Sequence, residues 1–147
     1  MKLAKALKEK NRLAGEVNRL KNLICRENSR NVNSKSQVDV SKLWEEMVTV
    51  TDKLVAVKTA IFRANVGIYD KIVRIGELKG RAAWIVTIPT NNEKTEQPNY
   101  GGGVIVTEMK AWMTQESVDS TTKQLQDEIA KLQYEIDEYN ATVTVEI

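Results

Sequence analysis

Between residues 40 and 61 the apolar side chains fall at Val40, Leu43, Met47, Val50, Leu54, Val57 and Ile61, with gaps that alternate between four and three and no polar interruption. A repeat averaging 3.5 residues keeps all seven on one narrow seam of an α-helix, and such a seam is stabilising only when another helix covers it. The chain must therefore build at least one helix–helix contact of coiled-coil type. A helix is predicted over 39–65, with Asp39 or Ser41 as its cap.

A matching helix is predicted over 2–27. Its seam is Leu3, Ala6, Lys10, Leu13, Val17, Leu20 and Ile24, in which only Lys10 is polar. The stretch 28–37, rich in Asn and Ser, has no periodicity and reads as a loop. Two seams of equal length joined by a short loop make an antiparallel hairpin about 30 Å long, at 1.5 Å rise per residue.

Further along, a helix over 68–87 is predicted from Ile68, Ile72, Ile75, Ala82 and Val86, ending before Pro89. Trp84–Ile88 is rich in β-branched residues, so helix and strand are both open there. Gly76 and Gly80 lie one turn apart, a spacing that suits close helix approach. Residues 89–103, polar and then glycine-rich, are expected to form a mobile loop, followed by an extended segment over 104–112. A last helix over 117–140 carries the seam Val118, Thr122, Leu125, Ile129, Leu132, Ile136 and Tyr139. Asn65 and Asn140 occupy equivalent places after the last Ile of their helices, where a left-handed helix end is expected. The tail 141–147 alternates polar with apolar, as an edge strand does. The expected architecture is mainly α and a single domain over 1–147. An antiparallel coiled-coil hairpin has the C-terminal helix along it as a helical bundle, with the 68–87 helix and the segment after it appended.

Composition then restricts function. There is no histidine and one cysteine, Cys25. A His-based triad, a His-ligated metal, a Cys–His dyad and a Cys-rich zinc site are all excluded, as is an internal disulfide. No catalytic constellation is visible, and no cofactor or metal is expected. Asn99-Tyr-Gly-Gly-Gly103 lacks the Gly-Lys-Ser/Thr of a phosphate loop. Adjacent acids such as Glu45/Glu46 and Asp127/Glu128 point about 100° apart on a helix and read as solvated edges. No apolar run is long enough to cross a bilayer, and the start of the chain, Lys alternating with Leu and Ala, is no secretory leader. A reducing, cytoplasmic setting is expected.

Two surface features point to partners. Trp44, Val48, Val55 and Phe62 form a second apolar column beside the filled seam of 39–65, which predicts contact with a second copy, most simply about a two-fold axis. Lys5, Arg12, Arg19 and Arg26 repeat every seven residues on the first helix. The alternative reading of the chain, a nucleic-acid-binding protein, rests on this basic column. Against it, residues 1–35 carry a net positive charge and residues 108–147 a net negative one, so the column is expected to pair with Asp127, Glu128, Glu135 and Asp137 of the last helix.

The chain also resembles a family of short, uncharacterised bacterial coiled-coil proteins of about this length, some of which carry the name septicolysin. The resemblance rests on Met1-Lys-Leu-Ala-Lys-Ala-Leu7, on Ile61-Phe-Arg-Ala-Asn65, on Thr107-Glu-Met-Lys110 and on the run from Ile136 through Asn140 to Thr144. It departs where the family's Asn-Trp is Asn140-Ala141 and where Ser and Asn replace a Glu- and Pro-rich insert between the first two helices. It implies a helical coiled-coil subunit without an established activity. From its residues, the function expected is that of a non-enzymatic, homo-oligomeric structural or adaptor protein.

Overall fold

A computed structural model describes residues 1–147. The chain is mainly helical: α1 (Leu3–Glu27), α2 (Val40–Asn65), a 3-10 turn (Val66–Ile68), α3 (Tyr69–Ile85), the strands β1 (Lys94–Pro98) and β2 (Val104–Glu108), and α4 (Gln115–Thr142). It divides into two compact units, Met1–Tyr69 with Asp137–Ile147, and Asp70–Ile136.

The first unit is the α1–α2 hairpin closed by the end of the chain. Its core gathers Leu3, Ala6, Leu13 and Val17 from α1, Leu54, Val57, Ala60 and Ile61 from α2, and Val145 from the tail. Seam residues at the tail end of the hairpin are buried, whereas Leu43, Met47 and Val50 are half-buried. The tail adds a third layer over its end of the hairpin, although Leu20, further along the α1 seam, is also fully buried. Asp39 caps α2 by accepting the Lys42 N–H at 3.3 Å. No side chain caps α1. The Val143 carbonyl does so instead, accepting the Leu3 N–H at 2.9 Å, and so satisfies a donor that a helix start leaves orphaned. Met1 and Val145 exchange two further bonds, 2.7 and 2.9 Å, so the tail pairs as expected.

Asn65 does not end its helix in a left-handed turn. Its φ is −74° and ψ −13°, no non-glycine residue has positive φ, and Asn140 lies inside α4. The helix tightens through Val66–Ile68 and continues as α3. The Tyr139 hydroxyl donates to the Ala64 carbonyl at 2.8 Å, and a Cβ on Gly67 would stand 2.9 Å from that hydroxyl. Gly67 is thus the close approach; around Gly76 and Gly80 there is open space. Gly67→Ala should destabilise the wild-type chain, because the added methyl displaces a bonded hydroxyl. In the Tyr139→Phe background, where that oxygen is gone, the same substitution should stabilise by about 0.5–1 kcal/mol, the usual helical advantage of Ala over Gly. A double-mutant cycle in urea reads the change of sign.

In the second unit α3 and α4 run antiparallel. Lys71 Nζ meets Glu135 Oε2 at 2.6 Å and Arg74 Nη2 meets Glu128 Oε1 at 2.8 Å, the α3 partner rising as the α4 partner falls. Of α4, the turns from Asp137 belong to the first unit and the rest to the second. Within the second unit α3 has a seam of its own, Ile75, Leu78, Ala82 and Ile85, all buried as are Val118, Leu125 and Ile129 of α4. Val86, placed on the α3 seam by its composition, is exposed. The helix stops at Ile85, and Thr87 turns back onto the Trp84 carbonyl through its N–H at 2.9 Å and its hydroxyl at 2.6 Å, so residues 84–88 form no strand. Helix α4 begins two residues earlier than its seam suggests because Thr114 caps it, accepting the Ser117 N–H at 3.1 Å.

The stretch expected to be a structureless loop contains β1, which pairs with β2 antiparallel from Lys94↔Glu108 to Pro98↔Val104. The turn Asn99–Gly103 is closed by Asn99 N–H to Gly103 O and Gly102 N–H to Asn99 O, both 3.1 Å. Gly102 (φ 89°) and Gly103 (φ 91°) take the conformations that only glycine adopts without strain.

A candidate self-association face

Helix α2 presents two apolar faces, and α1 and the tail cover one. The other holds Trp44, Val48, Val55 and Phe62, exposed to 57%, 42%, 56% and 70%. Nothing in the chain covers this column. It also runs further than the sequence suggests: Val66 and Tyr69 continue it at steps of four and three residues, and both are exposed. With Phe62 and Asn65 they line an open cleft of about 360 Å³. The signal was present in the unbroken spacing from Phe62 onward, but it is hidden if the helix is taken to stop at Asn65.

The basic column of α1 is assembled differently. Arg12 is held by Glu9 and Arg19 by Glu16, each at 2.6 Å and each as a two-pronged contact. Arg26 meets Glu27 at 3.2 Å. Lys5 is exposed and lies within electrostatic reach of Glu9. The acids that hold Arg12, Arg19 and Arg26 thus come from its own helix, with Glu46 of α2 also within electrostatic reach of Arg19, while Glu128 and Glu135 of α4 are held by Arg74 and Lys71. Spacing explains the choice. Side chains three residues apart on a helix share a face, so pairing needs no tertiary ordering. Two turns of α1 repeat the same five-residue pattern, Glu9-Lys-Asn-Arg-Leu13 and Glu16-Val-Asn-Arg-Leu20, which places an acid before each arginine. The Arg12 hydrogen bond holds the Glu9 carboxyl below its ordinary value of 4.5, and Arg19 does the same to Glu16. Both acids therefore stay charged, and both arginines neutralised, to a lower pH than free side chains would. A phosphate approaching this face meets alternating charge rather than a positive stripe.

The remaining candidates are dispersed. Glu45 and Glu46 are exposed on α2, and no group of His, Cys, Asp or Glu is arranged to hold a metal ion. Cys25 is exposed rather than packed. The Asn99–Gly103 glycines form the hairpin turn and start no helix. No helix is long and apolar enough to cross a membrane. Comparison with protein-family models, with curated proteins and with solved structures finds no match for this chain.

Proposed function

We propose that this protein is a non-enzymatic coiled-coil subunit, structural or adaptor in role, that assembles with copies of itself through the outer column of α2. The observation that carries the reading is that Trp44, Val48, Val55 and Phe62 remain exposed on a helix whose seam is already filled. Fully burying a side chain of this kind gains about 1.5–3 kcal/mol over leaving it wet, so the column forgoes on the order of several kcal/mol in a lone chain. A column along one helix is self-complementary about a two-fold axis, which makes a second copy the simplest cover. The resemblance to septicolysin-labelled bacterial proteins implies a helical coiled-coil subunit and adds no activity to this reading.

The test is Val55→Glu with Phe62→Glu. Light scattering at high micromolar concentration should give a multiple of the 16.6 kDa chain mass for the wild type and a smaller species for the double variant, with helical circular dichroism retained. A wild-type protein that stays monomeric under those conditions would sink the proposal.

A further inference from the structure

Strand β2 carries an unguarded edge, in a part of the chain separate from the α2 column. The two edges of the β1–β2 ribbon differ sharply. Met109 N–H donates to Glu93 O at 2.7 Å and Asn99 N–H donates to Gly103 O at 3.1 Å. With the register Lys94↔Glu108 to Pro98↔Val104, these two bonds place Ile105, Thr107 and Met109 among the residues whose backbone groups point toward β1. Antiparallel ladders alternate, so Val104, Val106 and Glu108 direct their N–H and C=O groups away from β1. On the far side of the ribbon the outward residues are Lys94, Glu96 and Pro98. Two charges and a proline without an N–H are the devices by which natural sheets block an edge. The β2 edge has no such guard before Glu108.

Apolar character supports the same edge. Val104, Ile105 and Val106 are all exposed, at 60%, 51% and 51%. They are consecutive, so they point alternately to the two faces of the ribbon. Each face also carries polar β1 residues: Lys94 and Glu96 on one, Thr95 and Gln97 on the other. Neither face is therefore an apolar surface for a membrane or a flat partner. What is apolar is the strand, along its length and on both faces, and only a neighbour lying beside it covers both. A two-stranded ribbon wet on both sides is also marginal by itself, and further strands stabilise it.

The occupant follows from symmetry. The outward set Val104, Val106 and Glu108 is centred on Val106. We propose that two copies pair β2 to β2 antiparallel about a two-fold axis through Val106, giving a four-stranded sheet in the order β1-β2-β2-β1. In that register Val106 exchanges both backbone bonds with its counterpart, and Val104 does so with the other copy's Glu108. Ile105 and Thr107 lie opposite each other on the second face. Each Glu108 keeps Lys94 of its own chain as its cross-strand neighbour. The guarded β1 edges end the sheet on both sides, so pairing stops at four strands.

Amide hydrogen exchange followed by NMR on the full chain tests this residue by residue. Without pairing, the amides of Ile105, Thr107 and Met109 are protected and those of Val104, Val106 and Glu108 exchange freely. With pairing, the second set should slow by at least about tenfold as protein concentration rises to high micromolar. Val106→Pro removes only an outward donor, so it should leave Ile105 and Thr107 protected and abolish the slowing at Val104 and Glu108. Repeating the measurement in the Val55→Glu, Phe62→Glu background separates this contact from the α2 column, since slowing that persists there belongs to β2. Free exchange at Val104, Val106 and Glu108 at all concentrations overturns the proposal, and so does protection that does not change with concentration.

Discussion

Leu54→Ala should lower the unfolding free energy by about 2–5 kcal/mol, the range for truncating a core leucine, read as a shift of the urea midpoint at unchanged slope. Leu54 is 9% exposed and sits among the residues that close the α1–α2 core. Its neighbour Val55 makes the comparison sharp. The same truncation there removes a side chain that is 56% exposed in the single chain. In dilute protein Val55→Ala should therefore stay within about 0.5 kcal/mol, as surface substitutions do. Equal costs at the two positions would mean that the seam has been assigned to the wrong face.

A second large effect is expected at the other end of the same unit. Val145 is 3% exposed, and the tail around it contributes backbone bonds to Met1 and Leu3. Val145→Asp puts a carboxylate into an apolar site with no partner, and the tail should detach rather than bury the charge. The loss is the burial of one valine and three backbone hydrogen bonds, offset by the freedom regained by the released residues; about 2–4 kcal/mol is expected. Two readouts check it together: a lower thermal midpoint, and fast exchange of the Leu3 amide, which the Val143 carbonyl holds in the wild type. A Leu3 amide still protected in the variant would show that the tail stays docked, and would overturn the predicted detachment.

How much of this could be read from sequence depends on the range of the interaction. Periodicity is local, and it placed α1, α2 and α4 within two residues of their ends. In the seam of α2 every predicted position is buried or half-buried. Partner choice is not local. That α4 runs antiparallel to α3, through Lys71–Glu135 and Arg74–Glu128, and sends its last turns into the hairpin's unit is not written in periodicity, and a shorter, glycine-interrupted α3 gives a weak pattern. The basic column shows the reverse error. Segment-wide charge suggested a distant partner for Arg12 and Arg19, while the nearer fact, a glutamate three residues before each, decided the pairing. Strand β1 was illegible because Lys-Thr-Glu-Gln-Pro has no strand composition. It is a strand by virtue of Val104–Glu108 opposite it.

The lacing of the chain's two ends sets a clock on its biosynthesis. Met1 and Val145 are separated by 144 positions, so at roughly 5–20 residues per second the partner of the first residue is made about 7–30 s later. Helix α2 ends at Asn65, so for about the last 4–16 s of that interval both helices exist, their microsecond formation finished. What waits is the last layer over Leu3, Ala6 and Ala60. Over that span the nascent chain is a two-layer intermediate with a wet apolar strip, open to a neighbouring chain together with the α2 column until Val145 arrives.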